Sequence, residues 1–224
     1  MKMLTGVVLA ALVTAPVFAQ KTAADRLKSA TEDLNEIMNA SDKGIPQDLV
    51  NRAECSVVIP NLKKGGFIVG AQYGAGFVSC RKKSGVGWTA PAGVKSEGGK
   101  FGFLAGGAEA DVILLVMNDS GMKHMLQDKF TVGGEISAAA GPVGRDATAQ
   151  TDAQMRAEIL SYSRQRGVYG GISLNGATLR EDDDANKELY GRELKNREIL
   201  TGDVPVPPAA RPFVRALDKT SSRK

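Results

Sequence analysis

Residues 105–145 read AGGAEADVILLVMNDSGMKHMLQDKFTVGGEISAAAGPVGR, and the rest of the chain is organised around them. They hold the longest apolar run outside the N-terminus, VILLVM at 112–117. Asn118 and Asp119 are placed to cap a helix over 120–127, because their short polar side chains accept from the first free amides of a helix. A glycine- and alanine-rich strand is expected over 130–140, ending in Gly-Pro-Val-Gly-Arg. Neither flank has a comparable apolar stretch on which to fold by itself.

On the N-terminal side, residues 22–40 have helical periodicity, with Ala23, Leu27, Ala30, Leu34, Ile37 and Met38 on one stripe. The opposite face mixes Arg26 and Lys28 with Glu32, Asp33 and Glu36, which favours a helix packed on its own domain over a membrane-surface helix. A second short helix is expected over 48–54. Strand-like residues follow at 56–59, Pro60 interrupts them, and Lys63-Lys64-Gly65-Gly66 reads as a basic turn. Residues 67–80 (FIVGAQYGAGFVSC) read as one long strand, with turns at 85–87 and 96–99, and Pro91 marking an edge or bend. On the C-terminal side, 153–164 fits helix and strand equally poorly. Residues 168–179 read as strand with a bend at Asn175-Gly176, and 184–190 as a helix stopped by Gly191. A proline-rich connection, 201–208, leads to a terminal helix at 209–217.

The chain has 224 residues, 42% apolar and 24% charged, which suits one substantial domain. Its 26 glycines lie inside apolar segments as well as between them, which favours tightly curved β structure. The fold class expected is α+β: a glycine-rich, mostly antiparallel curved sheet or barrel-like core with flanking N- and C-terminal helices. The net charge of +4, from 29 Lys and Arg against 25 Asp and Glu, forms no dense patch. With aromatic residues at only 5%, nothing points to a nucleic-acid partner.

Residues 1–19 read as a signal peptide. Lys2 gives the positive start, 7–13 the short apolar core, and Val17-Phe18-Ala19 the small residues before cleavage at Gln20. A membrane anchor is the competing reading, but the run is short of the roughly 20 residues a span needs. A periplasmic or secreted location is therefore expected. In such a compartment the two cysteines, Cys55 and Cys80, are either a disulfide between strand ends or two buried thiols.

Motifs for chemistry fail one by one. The single histidine, His124, reads as a surface helix residue without triad or zinc partners. Ser120 and Lys123 match S-x-x-K but lack its supporting elements. Residues 93–100, GVKSEGGK, are one residue too long for a phosphate loop, and Phe101 stands where Ser or Thr is required. Asp182, Asp184, Asn186 and Glu193 have the spacing of a calcium loop, but Lys187 occupies its glycine position. A solvated acidic helix start is the competing reading. No enzyme activity, cofactor or metal is expected. The basic residues that remain are Lys63 and Lys64, Arg81, Lys82 and Lys83, and Arg211, Arg215 and Lys219. Each is either a head-group contact or an ordinary turn and tail residue.

Longer pieces of the chain resemble the SYLF lipid-binding domain family. They are KGIP (43–46), CSVVIPNLKKGGFIVGAQYGAGFVSCR (55–81), GWTAPAG (87–93), DVILLVMN (111–118), KFTVGGEISAAAGPVGRDATAQTDA (129–153), AEILSYSRQRGVYGGISLNGATL (157–179) and DANKELYG (184–191). The resemblance implies a compact β-rich domain over 43–200, behind an amphipathic helix at 20–42 and before a connection and tail at 201–224. It also implies no catalysis and the binding of phospholipids. Some eukaryotic relatives bind phosphoinositides and actin, but the export signal points to a bacterial-type member. An anionic phospholipid or membrane surface is the partner expected here. The residues expected to meet it are Arg26, Lys28, Lys63 and Lys64. A structural or partner-binding envelope protein is the alternative.

Overall fold

The computed structural model describes residues 21–40, 44–66, 70–98, 106–143, 154, 156–165, 168–171, 174 and 176–221. The expected signal peptide and the segments 67–69 and 101–104 lie outside these residues.

The apolar run sits in β4 (Gly106–Val116), in the middle of a nine-stranded, mostly antiparallel and strongly curled sheet. β4 pairs with β1 (Cys55–Gly66) on one side and β7 (Ile159–Gln165) on the other. Beyond β1 come β2 (Gly70–Cys80), β3 (Ala92–Gly98), β9 (Ala177–Glu181) and β5 (Lys129–Thr131). Beyond β7 lies β6 (Ala138–Ala140), while β8 (Val168–Gly171) also pairs with β7. Both faces of β4 are covered, which is why its sequence is continuously apolar and does not alternate. Val112, Leu114 and Val116 point into an inner core, and Ile113 and Leu115 into a second core under helices.

The expected single strand over 130–140 is two strands on opposite edges of the sheet. Gly133 adopts φ +76, a conformation glycine adopts without strain, and breaks the run into a turn. Before the turn, Val132 N donates to Ala177 O beside β9; after it, Glu158 N donates to Ser137 O beside β7. One short segment therefore spans both edges. Its buried Val132 and Ile136 join the inner core, and two otherwise exposed strand edges are covered.

Three helices cover the other face. α1 (Ala23–Asn39) starts at a capping box between Thr22 and Asp25, and its buried residues include Leu27, Leu34 and Ile37. Each of those three side chains contributes roughly 1.5–3 kcal/mol by leaving water. α2 (Gln47–Arg52) and α6 (Arg211–Thr220), the latter preceded by a 3-10 turn at Pro208–Ala210, pack into the same core through Leu49, Val50, Phe213 and Leu217. α3 (Asp119–Met125) is capped by Asn118, whose Oδ1 accepts from Gly121 N. α4 (Asp183–Tyr190) ends at Gly191 with φ +66, and α5 (Asn196–Thr201) adds Ile199 and Leu200 to the inner core.

Two expected turns are strand. Lys63–Gly66 continues β1, and Ser96–Gly98 belongs to β3. β1 passes Pro60 through a bulge at Pro60–Asn61, where Asn61 takes φ +52 and its N–H donates to Asp111 Oδ1 at 2.9 Å. Cys55 and Cys80 are directly opposed on β1 and β2 and are joined by a disulfide. Next to it, Arg81 stacks 4.1 Å over Trp88 and donates to Ala53 O, Val50 O and Ser221 O. This buried guanidinium ties the β2 end to α2 and to the end of α6.

Candidate functional site

A groove of about 610 Å³ opens where the first turns of α1 cross the bulged part of β1 and the adjoining part of β2. Lys21, Arg26 and Lys63 bring positive charge to it, and Glu109 stands opposite Lys63 at 3.8 Å. That pair is well exposed, so its attraction is weak and readily exchanged for another partner. Tyr73, 49% exposed, forms part of the wall. An aromatic ring with a polar tip beside cations suits a boundary between apolar and wet surroundings.

The bulge makes this surface. It shifts the register of β1 between Ile59 and Leu62, so both of these residues point into the inner core although they are three apart. Lys63 consequently faces the groove, and Lys64 faces inward. Lys64 is 8% exposed, and burial pulls its pKa below the usual lysine value. The structure thus brings Arg26 and Lys63 together and separates Lys64 from them. Lys28 is exposed on α1 but does not line the groove. Lys21, which charge patterning did not single out, does line it; its place one residue before the Thr22 cap was the available signal.

Arg26 has a structural partner as well as a place in the groove. Its Nη1 lies 3.1 Å from Oδ2 of Asp182, whose side chain has no exposure. Lys95 Nζ approaches Oδ1 of the same carboxylate at 2.9 Å. Two cations meet this buried anion, and Lys95 also reaches the exposed Asp184 at 3.3 Å. Arg26 Nε is buried with no hydrogen-bond partner.

The calcium spacing resolves differently. Asp182 caps α4, with Oδ1 accepting from Ala185 N, and is filled by Arg26 and Lys95. Asn186 is spent on Gly93 N, Leu194 O and Asn196 Oδ1. Glu193 pairs with Lys187 at 3.0 Å. The acidic helix start is therefore partly a buried ion-pair centre and not simply solvated. Among the described residues no cluster of three or more His, Cys, Asp or Glu side chains is arranged to hold a metal ion. The GVKSEG part of the phosphate-loop candidate is strand β3. Ser120 of the S-x-x-K match lies in the first turn of α3, and half-buried His124 lies against Phe130 with ring centroids 6.1 Å apart.

A second charged cluster anchors the far half of α1. Arg164 on β7 donates to Asp33 Oδ1 at 2.9 Å and to Asp111 Oδ2 at 2.7 Å, and it also meets Glu36. Three carboxylates share one guanidinium. Burial, with Asp111 alongside, raises the Asp33 pKa to about 7.

Residues 97–220 match the Ysc84 family, described as "Las17-binding protein actin regulator". The chain is similar to Protein YSC84 of Saccharomyces cerevisiae, with 32% identity over 201 residues, covering 88% of this chain and 42% of that protein. It is similar to LAS seventeen-binding protein 3 of the same species, 32% identical over 187 residues, 82% of this chain and 40% of the relative. SH3 domain-containing YSC84-like protein 1 of Homo sapiens is 30% identical over 204 residues, 91% and 58% respectively. The chain thus spans about two-fifths to three-fifths of the length of these relatives. Their names are those of binding and SH3-containing proteins, not of enzymes.

Proposed function

The chain belongs to the Ysc84, or SYLF, family, and from that premise we propose that it is a non-enzymatic module that binds anionic phospholipid at the cell envelope. The groove bearing Lys21, Arg26, Lys63 and Tyr73 carries this reading. Among the described wall residues its cations outnumber the one acidic residue, Glu109, and that residue is exposed and weakly held. An anionic head group would displace Glu109 from Lys63, while Tyr73 lies at the lipid–water boundary. Each basic side chain near an anionic surface is worth about 1 kcal/mol, so the groove gives modest, salt-sensitive binding.

The test is co-sedimentation of the full chain with anionic and with neutral vesicles at low and high salt. Retention on anionic vesicles only, weakened by salt and lost in Lys21→Glu/Lys63→Glu, is the expected result. Equal retention on both vesicle types, or an unaffected double variant, overturns the assignment.

A second reading is favoured by the names of the relatives, one of which is a LAS seventeen-binding protein. In it the domain is a partner-binding envelope protein without a lipid ligand. Stoichiometric capture of one protein, with no retention on either vesicle type, would favour it.

A further inference from the structure

We infer that the groove selects its lipid by the head group, taking a single phosphodiester charge followed by free hydroxyls, as in a phosphatidylglycerol head, with Glu109 as the selecting residue. This rests on the reading of the groove as a phospholipid site and adds which phospholipid it takes.

Glu109 and Lys63 are cross-strand partners on β4 and β1, 3.8 Å apart, and both side chains are mostly exposed. The pairing of β4 with β7 begins at Asp111, so Glu109 lies past that pairing, on the groove wall. Among the described lining residues it is the one anion beside Lys21, Arg26 and Lys63. A groove built only to hold negative charge has no use for it. The same walls carry half-buried Ser29 and the exposed Asn61 and Tyr73, neutral side chains that both donate and accept.

These residues sort the head groups. A phosphodiester oxygen takes Lys63, and Glu109 is left facing the remainder of the head. A carboxylate only accepts, so that remainder must donate and carry no second negative charge. Phosphate monoesters and the carboxylate of a serine head fail, because like charges repel at this range. An ammonium head donates to Glu109 but then stands within reach of Lys63, 3.8 Å away. Hydroxyls donate without charge, and Ser29, Asn61 and Tyr73 take up those that Glu109 does not.

The experiment is co-sedimentation of the full chain, at low salt, with phosphatidylcholine vesicles that carry an equal mole fraction of phosphatidylglycerol, phosphatidylmethanol or phosphatidylserine. All three lipids have the same net charge, so attraction to a charged surface does not separate them. Phosphatidylmethanol has the phosphodiester without the hydroxyls. Binding to phosphatidylglycerol is expected to be about five- to tenfold tighter than to either of the others, the size of one hydrogen bond to a charged group in a partly wet site. Glu109→Ala is expected to strengthen binding to phosphatidylmethanol and phosphatidylserine, since it frees Lys63, and to bring the three lipids level. Equal binding of the wild type to all three overturns this inference and leaves the phospholipid reading standing; binding to none overturns both. A preference for phosphatidylglycerol that survives Glu109→Ala overturns the role given to Glu109.

Discussion

Arg26 and Asp182 meet at 3.1 Å across 156 residues of sequence, and the carboxylate has no contact with solvent. The pair fastens the start of α1 to the start of α4, and the same carboxylate caps α4 and holds Lys95 on β3. One buried anion thus joins three elements.

Removing that charge should therefore cost more than a surface pair. Asp182→Asn keeps a capping oxygen but leaves Arg26 without its ion-pair partner and Lys95 with only the exposed Asp184, at 3.3 Å, although both cations are about five-sixths buried. A loss of about 3 kcal/mol is expected, at the low end for a broken buried pair because both cations retain some water contact. Urea unfolding measures it. Arg26→Met combined with Asp182→Asn should cost less than the sum of the single changes, and simple additivity would rule out direct coupling.

Asp33 gives the fold a pH dependence of known sign. Its pKa rises from 3.8 to about 7 in the folded state, first through burial and then through Asp111. The folded chain therefore holds a proton that the unfolded chain has released. This stabilisation is complete below about pH 4 and is lost as pH rises through 7. Carboxyls with lowered values, Glu97 and Glu158 among them, are fully ionised by pH 5.5 and contribute no slope above it. Between pH 5.5 and 8 the wild type should lose stability, at roughly 1.4 kcal/mol per unit at the steepest. Asp33→Asn should flatten that slope in urea titrations at the two pH values; an unchanged slope would assign it elsewhere.

The disulfide between Cys55 and Cys80 closes a loop with a sequence separation of 25. By the loop-entropy relation it stabilises the fold by roughly 3.5 kcal/mol. Cys55→Ala/Cys80→Ala should lower the unfolding midpoint accordingly, and reductant should lower the wild type but not the double variant. A reductant-insensitive wild type would mean that the bridge contributes no stability.

Local signals in the sequence placed some elements well. α1 was legible because cap, period and apolar stripe all lie within one stretch, and the described helix differs from the expected range only at its ends. The curved, mostly antiparallel sheet was legible from glycines inside apolar runs. What stayed hidden depends on distant partners or on a local shift of period. Alternation counted from Ile59 puts Lys63 inward and Lys64 outward, and the Pro60–Asn61 bulge reverses both. The break at Gly133 becomes necessary only because β9 and β7 present two edges to one segment. Nothing near Arg26 in sequence announces Asp182.

Gly141 is a last case of a residue whose reason lies elsewhere in the chain. It read as the end of a strand, beside a proline, where glycine needs no special account. In the structure its N–H donates to Ser161 O, and its α-carbon sits against the ring of Tyr162. A Cβ there would lie 2.1 Å from Cζ and 2.4 Å from Cε1 of that ring. Tyr162 is fully buried and packed with Leu160 and Ile113 beneath the helices, so the ring has little room to retreat. Gly141→Ala should therefore destabilise by about 1–3 kcal/mol through overpacking. The backbone alone would predict the opposite, since alanine restricts the unfolded chain. Tyr162→Leu makes space at the same point, so Gly141→Ala placed on that background should cost much less. If alanine costs the same on both backgrounds in urea unfolding, the ring contact is not what demands glycine at 141.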